Sequence, residues 1–277
     1  MIVVTESIIK EFEYFLVKDE KCPATIEKYL RSVRSLSDFA SGKALSKELI
    51  LAYKSKLIED NYSDRSINAS LAGINCLLRF LNASDYRVKN LKIQKQVYLS
   101  EDKELSKAEY KRLLAAAEKN RKLYTIMETI CGTGIRVSEL KYFTVEAVRI
   151  GEIHIRLKGK SRVIIVSGKL KKKLLDYART ENISEGIIFR NRVGKAMDRS
   201  VIWALMKKLC SAAGVASTKV FPHNLRKLFA RCFYKIEKDV AKLADILGHS
   251  SIDTTRIYIM TSGKEHRRII NQLDLVV

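Results

Sequence analysis

The chain has 277 residues, with 52 Lys and Arg against 31 Asp and Glu, a net formal charge of +21 and a pI near 9.7. This length suits two ordinary domains, and the charge excess points to a polyanionic partner, with nucleic acid the natural choice and a merely soluble basic surface or attraction to anionic lipid the alternatives. Five scattered cysteines (Cys22, Cys76, Cys131, Cys210 and Cys232) form no C-x-x-C pair, which argues against a disulfide framework and a zinc site. No run approaches the roughly 18 apolar residues of a membrane span, so a cytoplasmic protein without membrane partner, metal or other cofactor is expected.

Helical periodicity governs the first third. An opening helix is followed by one starting at Pro23, where Ile26, Tyr29, Leu30, Val33 and Leu36 form an apolar stripe. A third helix begins near Ser46. A fourth spans about Ser63 to Leu81, with Ile67, Leu71, Ile74, Leu78 and Leu81 recurring at three- and four-residue steps. These make a four-helix unit over residues 1–96. Periodicity then lapses, and residues 97–103 are read as a linker. The second domain, 104–277, opens with a capping box of Ser106 and Glu109, stapled by Leu105 and Tyr110.

Charge divides unevenly along this plan. Residues 1–97 carry 16 basic and 12 acidic side chains, net +4, and residues 98–277 carry 36 and 19, net +17. The later part is therefore expected to make the stronger phosphate contacts. Within it, the alternation of Ile153, Ile155 and Leu157, the segment KGKSR and then VIIV predict a basic-tipped β-hairpin. GIIF at 186–189 is a candidate third strand. A helix ending at Gly214 follows, and helices resume from Leu225. The predicted class is mainly α with a small antiparallel sheet.

Three segments concentrate side chains suited to phosphate chemistry: GTGIRVSEL (132–140), FPHNLRK (221–227) and LGHSSIDTTRIYI (247–259). In the first, Gly132 and Gly134 end an apolar helix and Arg136 opens the next; alone, this reads more readily as a helix-start arginine on the surface. In the second, Pro222 suits a helix start, and His223 and Arg226 lie three apart on one helical face, able to grip one anion. Many solvated helices carry the same spacing. In the third, Gly248 terminates a helix, His249 occupies the turn, and Ser250 with Asp253 is read as a capping box for a helix bearing Tyr258. Tyr258 by itself reads equally as a core aromatic.

In this order the segments resemble the tyrosine recombinase family, which includes the lambda-type integrases and the Xer recombinases. The family pattern is Arg within G-[ILM]-R-x-S-E-L, a hairpin Lys, H-x-L-R, L-G-H, and Tyr nine residues later. Here these are Arg136, Lys158, His223 with Arg226, His249 and Tyr258. The resemblance covers the second domain from about residue 104. More weakly, the first domain resembles the family's helical, SAM-like core-binding domain, so the second is the α+β catalytic domain.

The resemblance implies a site-specific DNA recombinase. Arg136 and Arg226 would neutralise the scissile phosphate, Tyr258 would attack phosphorus to leave a 3′-phosphotyrosine and a free 5′-hydroxyl, His223 would accept the tyrosyl proton, and His249 would hydrogen-bond the phosphate. The hairpin lysine would protonate the leaving oxygen. Aligning KGKSR with the family's G-K-G-x-K-x-R selects Lys158, but the segment is one residue shorter and lacks the preceding Gly, so Lys160 competes. Lys227 stands where the family commonly has His, and Glu139 resembles the acidic residue that braces the pocket, its alternative being an exposed helix carboxylate.

The partners so implied are double-stranded DNA, clamped between the two domains, and three further copies in a tetramer exchanging strands through a Holliday junction, from a protein monomeric off DNA. Accessory or directionality factors could join. The basic and apolar tail after Tyr258 either docks on a neighbouring subunit or packs on its own domain. The length leaves little room for an arm-binding domain, so simple inverted-repeat core sites are expected. Integration or excision of a mobile element, inversion and chromosome dimer resolution all fit. Two other readings are a catalytically silent DNA-binding relative and a type IB topoisomerase-like enzyme.

Overall fold

A computed structural model describes residues 2–94, 101–157 and 160–259, together with 268, 271 and 272. The chain divides into two compact units, Met1–Lys95 and Gln96–Val277.

The first unit is built from α1 (Glu6–Lys18), α2 (Pro23–Ala40), α3 (Lys47–Glu59) and α4 (Asp64–Phe80). Thr5, Ser46 and Ser63 cap α1, α3 and α4 by accepting from backbone N–H groups, and Pro23 occupies the first turn of α2. The apolar stripes meet in one core of Phe12, Leu16, Val33, Leu36, Ile50, Ile67, Leu71 and Ile74. Asn75 and Asn68 on α4 then pin the departing chain. Asn75 Nδ2 donates to Val88 O at 3.1 Å and its Oδ1 accepts from Val88 N at 3.3 Å; Asn68 does the same with Leu91 O and N at 2.9 and 2.7 Å. Each amide imitates a strand neighbour for an irregular segment whose backbone would otherwise go unpaired.

The second unit begins with α5 (Lys107–Ala116), whose capping box of Ser106 and Glu109 is formed in both directions. There follow α6 (Arg121–Thr133), a 3-10 turn (Val137–Tyr142), α7 (Val145–Ile150), β1 (Glu152–Leu157), β2 (Lys160–Ile165), α8 (Gly168–Thr180), α9 (Arg199–Lys208), α10 (Cys210–Ala213), α11 (Pro222–Glu237), α12 (Val240–Leu247) and α13 (Ile252–Ile259). β1 and β2 pair antiparallel, with Ile153 opposite Ile164 and Leu157 opposite Lys160. Ile153, Ile155, Ile164 and Val166 face a core shared with Leu123, Ile130, Phe143, Leu174, Phe189 and Leu225.

GIIF does not become a third strand. Ile187 makes only an isolated bridge to Thr144, with Val145 N donating to Gly186 O and Ile188 N to Phe143 O at 3.0 Å each. Gly186 turns the chain at φ +72°, and Ile188 and Phe189 are both buried in succession, which the alternation of a one-sided strand does not allow. A second difference concerns α13. Its capping hydroxyl is Ser251, which accepts from Asp253 N at 3.2 Å, so the helix starts one residue later than a Ser250 box requires.

Candidate active site

Glycine shapes the entry to the site. α6 closes at Gly134, in the left-handed region at φ +67°, where an added Cβ would collide with the ring of Phe229. Only glycine satisfies both demands. Two residues on, Arg136 leads into the 3-10 turn, and its backbone N–H donates to Glu139 Oε2 at 2.7 Å. Its guanidinium is partly exposed, donating to Glu139 Oε1 at 3.1 Å and to Gly248 O at 3.4 Å. Arg136 is thus fixed at its backbone and steered at its tip, with donors to spare.

Arg226, on α11, is only 1 % exposed. A cation so deep needs compensation, and two helix C-termini supply it. Nη1 donates to Gly134 O, beyond α6, at 2.6 Å; Nη2 donates to Leu247 O, ending α12, at 2.7 Å. These are carbonyls at the negative ends of helix dipoles. Nη2 also meets His249 Nε2 at 2.8 Å, and Nε has no protein partner. Burial, reinforced by Arg136, lowers Arg226 to about 10, leaving it cationic at neutral pH.

His223, one turn earlier on α11, shares the helical face of Arg226. Burial, then the cations Lys227, Arg226 and Arg136, lower it to about 4. His249, in the turn after α12, is likewise lowered to about 4 by burial and by Arg226, Arg136 and Arg162. Both imidazoles are therefore neutral at pH 7. With Arg226 donating to its Nε2, His249 carries its proton on Nδ1 and donates to Thr255 Oγ1 at 2.8 Å.

α13 delivers Tyr258. Its ring is 7 % exposed and packs with Ala230, Leu243 and Leu247, edge-on to His223 and His249 at centroid distances of 5.4 and 5.3 Å. Its hydroxyl lies 3.1 Å from His223 Nε2. Tyr258 is thus a core aromatic along its ring and a reactive-site group at its tip. A neutral His223 protonated on Nδ1 accepts the phenolic O–H through its unprotonated Nε2.

Arg136, His223 and Arg226 line a cavity of about 450 Å³ with Ser138, Arg199 and Trp203. A second cavity, about 940 Å³, is bordered by Arg136, Glu139, Arg162, Gly248 and His249. Of the residues anticipated from the sequence, Arg136, His223, Arg226, His249 and Tyr258 converge here. Lys158 lies outside the described residues, and Lys160 is described only through its backbone, opposite Leu157. Lys227 acts on them from a distance: it donates to Glu104 Oε1 at 2.8 Å, beside Arg231, which donates to the same carboxylate, and its charge helps lower His223.

Glu139 is fully buried, not an exposed helix carboxylate. Arg162, a residue that motif reading left without a role, donates to Glu139 Oε2 at 2.6 Å. Strand parity marks it. Arg162 shares the pleat face of Ile164 and Val166, 3 % and 6 % exposed, so it is a charge directed inward on a half-buried strand. Thr255 against His249 and Arg199 and Trp203 in the cavity wall belong to no motif; Trp203 carries no signal in the sequence beyond its place on a helix.

Residues 103–265 match the model of the phage integrase family. Across nearly its whole length the chain is similar to tyrosine recombinases named XerA, at 28 % identity to that of Pyrococcus horikoshii, covering 99 % of this chain and 96 % of the relative. Identity to that of Thermococcus kodakarensis is 30 %, covering 97 % and 96 %. A crystal structure of XerA recombinase aligns with a TM-score of 0.53 at 25 % identity, covering 99 % of this chain and 100 % of that one. A lambda integrase tetramer bound to a Holliday junction aligns with a TM-score of 0.73 at 19 % identity, over 91 % and 76 %, and shares the fold. The ordered side chains around Tyr258 and the match spanning them establish that this chain belongs to the phage integrase family of tyrosine recombinases.

Proposed function

We propose that the protein is a site-specific DNA recombinase that cuts and rejoins duplex DNA through a 3′-phosphotyrosine at Tyr258. The observation that carries this reading is the approach of the Tyr258 hydroxyl to a neutral His223 within 3.1 Å, beside two arginines lining one cavity. Attack forms the bond from the tyrosyl oxygen to phosphorus and breaks the bond from phosphorus to the 5′-oxygen. The tyrosyl proton passes to His223 Nε2. Arg136 and Arg226 neutralise the non-bridging oxygens of the pentacoordinate state. A hairpin lysine, Lys158 or Lys160, protonates the departing 5′-oxygen. The phosphodiester is exchanged rather than hydrolysed, so the reverse reaction rejoins the strand without a nucleotide cofactor.

Assembly follows from the same reading: four copies act on two cytoplasmic duplexes, each clamped by both units of one copy, and exchange strands through a Holliday junction, with accessory or directionality factors biasing the outcome. Support comes from the net charge of +17 over residues 98–277 and from the junction-bound tetramer formed by lambda integrase. To test it, a pool of nicked duplexes with randomised inverted repeats is incubated with protein and resolved under denaturing conditions. The wild type is expected to trap a subset covalently and Tyr258→Phe none. A persistent adduct with Tyr258→Phe, or none with the wild type, overturns the assignment.

A further inference from the structure

Arg162 occupies a junction that the phosphate chemistry alone does not require. Its backbone belongs to β2, six residues long and paired with β1, so its origin is rigid. Its side chain, 12 % exposed, crosses to two other elements. Nη2 donates to Glu139 Oε2 at 2.6 Å, and Nη1 donates to Ile246 O in the last turn of α12. Gly248, at φ +64°, leaves the room this path needs: an added Cβ would sit 2.7 Å from Arg162 Cδ.

The consequences run in two directions. Glu139 is a fully buried carboxylate held between two guanidiniums, accepting from the backbone and tip of Arg136 as well as from Arg162. Without Arg162, the whole carboxylate charge falls on Arg136, which would then be drawn toward it and away from a substrate phosphate. Toward α12, Arg162 fixes the carbonyl three residues before His249, in the turn where Arg136 Nη2 reaches Gly248 O and Arg226 Nη2 reaches Leu247 O. One planar fork thus joins the hairpin, the 3-10 turn and the turn carrying His249. An ammonium has the charge but not the two fixed directions.

We propose that Arg162 is a positioning residue for strand cleavage, holding Arg136 through Glu139 and the His249 turn through Ile246 in the geometry that meets the reacting phosphate. The inference rests on the recombinase reading, and every comparison is made against wild-type cleavage, so absence of a wild-type adduct defeats that reading while the outcomes below decide Arg162 alone.

The test uses a nicked duplex trapped by the wild type and separates the cleavage rate at saturating protein from the affinity for the same duplex. Arg162→Met and Arg162→Lys are each expected to cleave about 100-fold more slowly while binding within about 3-fold of wild type. Because Arg162→Met strands a buried carboxylate, the double variant Arg162→Met with Glu139→Gln removes that charge and serves as the folded comparison, verified by thermal melting. Because the two residues share the Arg136 arm while only Arg162 holds Ile246 O, the double variant cleaves more slowly than Glu139→Gln alone but by less than the product of the two single losses. Wild-type cleavage by the folded double variant overturns the proposal. So does a loss of affinity matching the loss of rate, which would make Arg162 a DNA contact, or multiplicative losses from the two substitutions.

Discussion

Within residues 1–95 the described side chains most deeply withdrawn from solvent are apolar, Phe12, Leu16, Leu36 and Leu71 among them, whereas residues 96–277 also bury Glu139, Asn224, Arg226 and four threonines. Apolar burial stabilises in proportion to area and asks nothing of direction. Buried polar groups stabilise only when each finds a partner. The second unit meets that demand locally where it can: Thr125, Thr129 and Thr133 each donate to the carbonyl one turn back, at 2.8, 2.7 and 2.6 Å. Arg226 and Glu139 instead draw partners from distant segments, and it is there that the reactive groups gather. The first unit is organised for cohesion, and the second accepts costly burial to hold cations at fixed positions.

Substitutions can sharpen this contrast. The largest effect is expected from Arg226→Lys. One ammonium cannot serve Gly134 O, Leu247 O and His249 together, and the cleavage rate should fall by about 100- to 1,000-fold in single-turnover assays on the trapped duplex. A matching substitution in the other unit, Leu71→Ala, should cost about 2–5 kcal/mol in denaturant unfolding yet leave the saturated cleavage rate of the folded protein unchanged. Loss of rate there would break the division of labour.

Acid should separate the units less dramatically. All four histidines lie beyond residue 95, and His223 and His249 are held at about 4 in the folded state. A folded value below the unfolded one means that the unfolded chain binds the extra protons, so this stability is complete above about 6.5 and declines as pH falls toward 4. Calorimetry between pH 7 and 5 is expected to show the catalytic unit losing stability and the helical unit holding its own. The smallest effect concerns Lys227→Gln. Removing a cation that helps lower His223 should move the acid limb of the kcat/KM profile to higher pH, and a downward shift would contradict the placement of Lys227.

How far the chain could be read beforehand follows the same line. Helices with strict apolar stripes and capping residues, such as Ser63 to Phe80, were legible because their signals are local in sequence. So were the motif positions around Arg136, His223, Arg226, His249 and Tyr258, through spacing and resemblance. The misread segment was GIIF, where consecutive buried apolar residues do not distinguish a strand from an extended connection. The role of Arg162 was hidden because its partners, Glu139 and Ile246, stand 23 and 84 residues away; only its strand parity hinted at an inward charge. The start of α13 lies one residue later than the expected cap requires because adjacent serines, Ser250 and Ser251, are equally good caps.

The most direct measurement is the identity of the residue bonded to DNA. Digesting the trapped wild-type adduct with protease and sequencing the attached peptide by mass spectrometry should place the link on Tyr258, joined to a 3′-phosphate with a free 5′-hydroxyl on the released strand. A link at any other residue, or a 5′-phosphate bonded to the protein, would contradict the account.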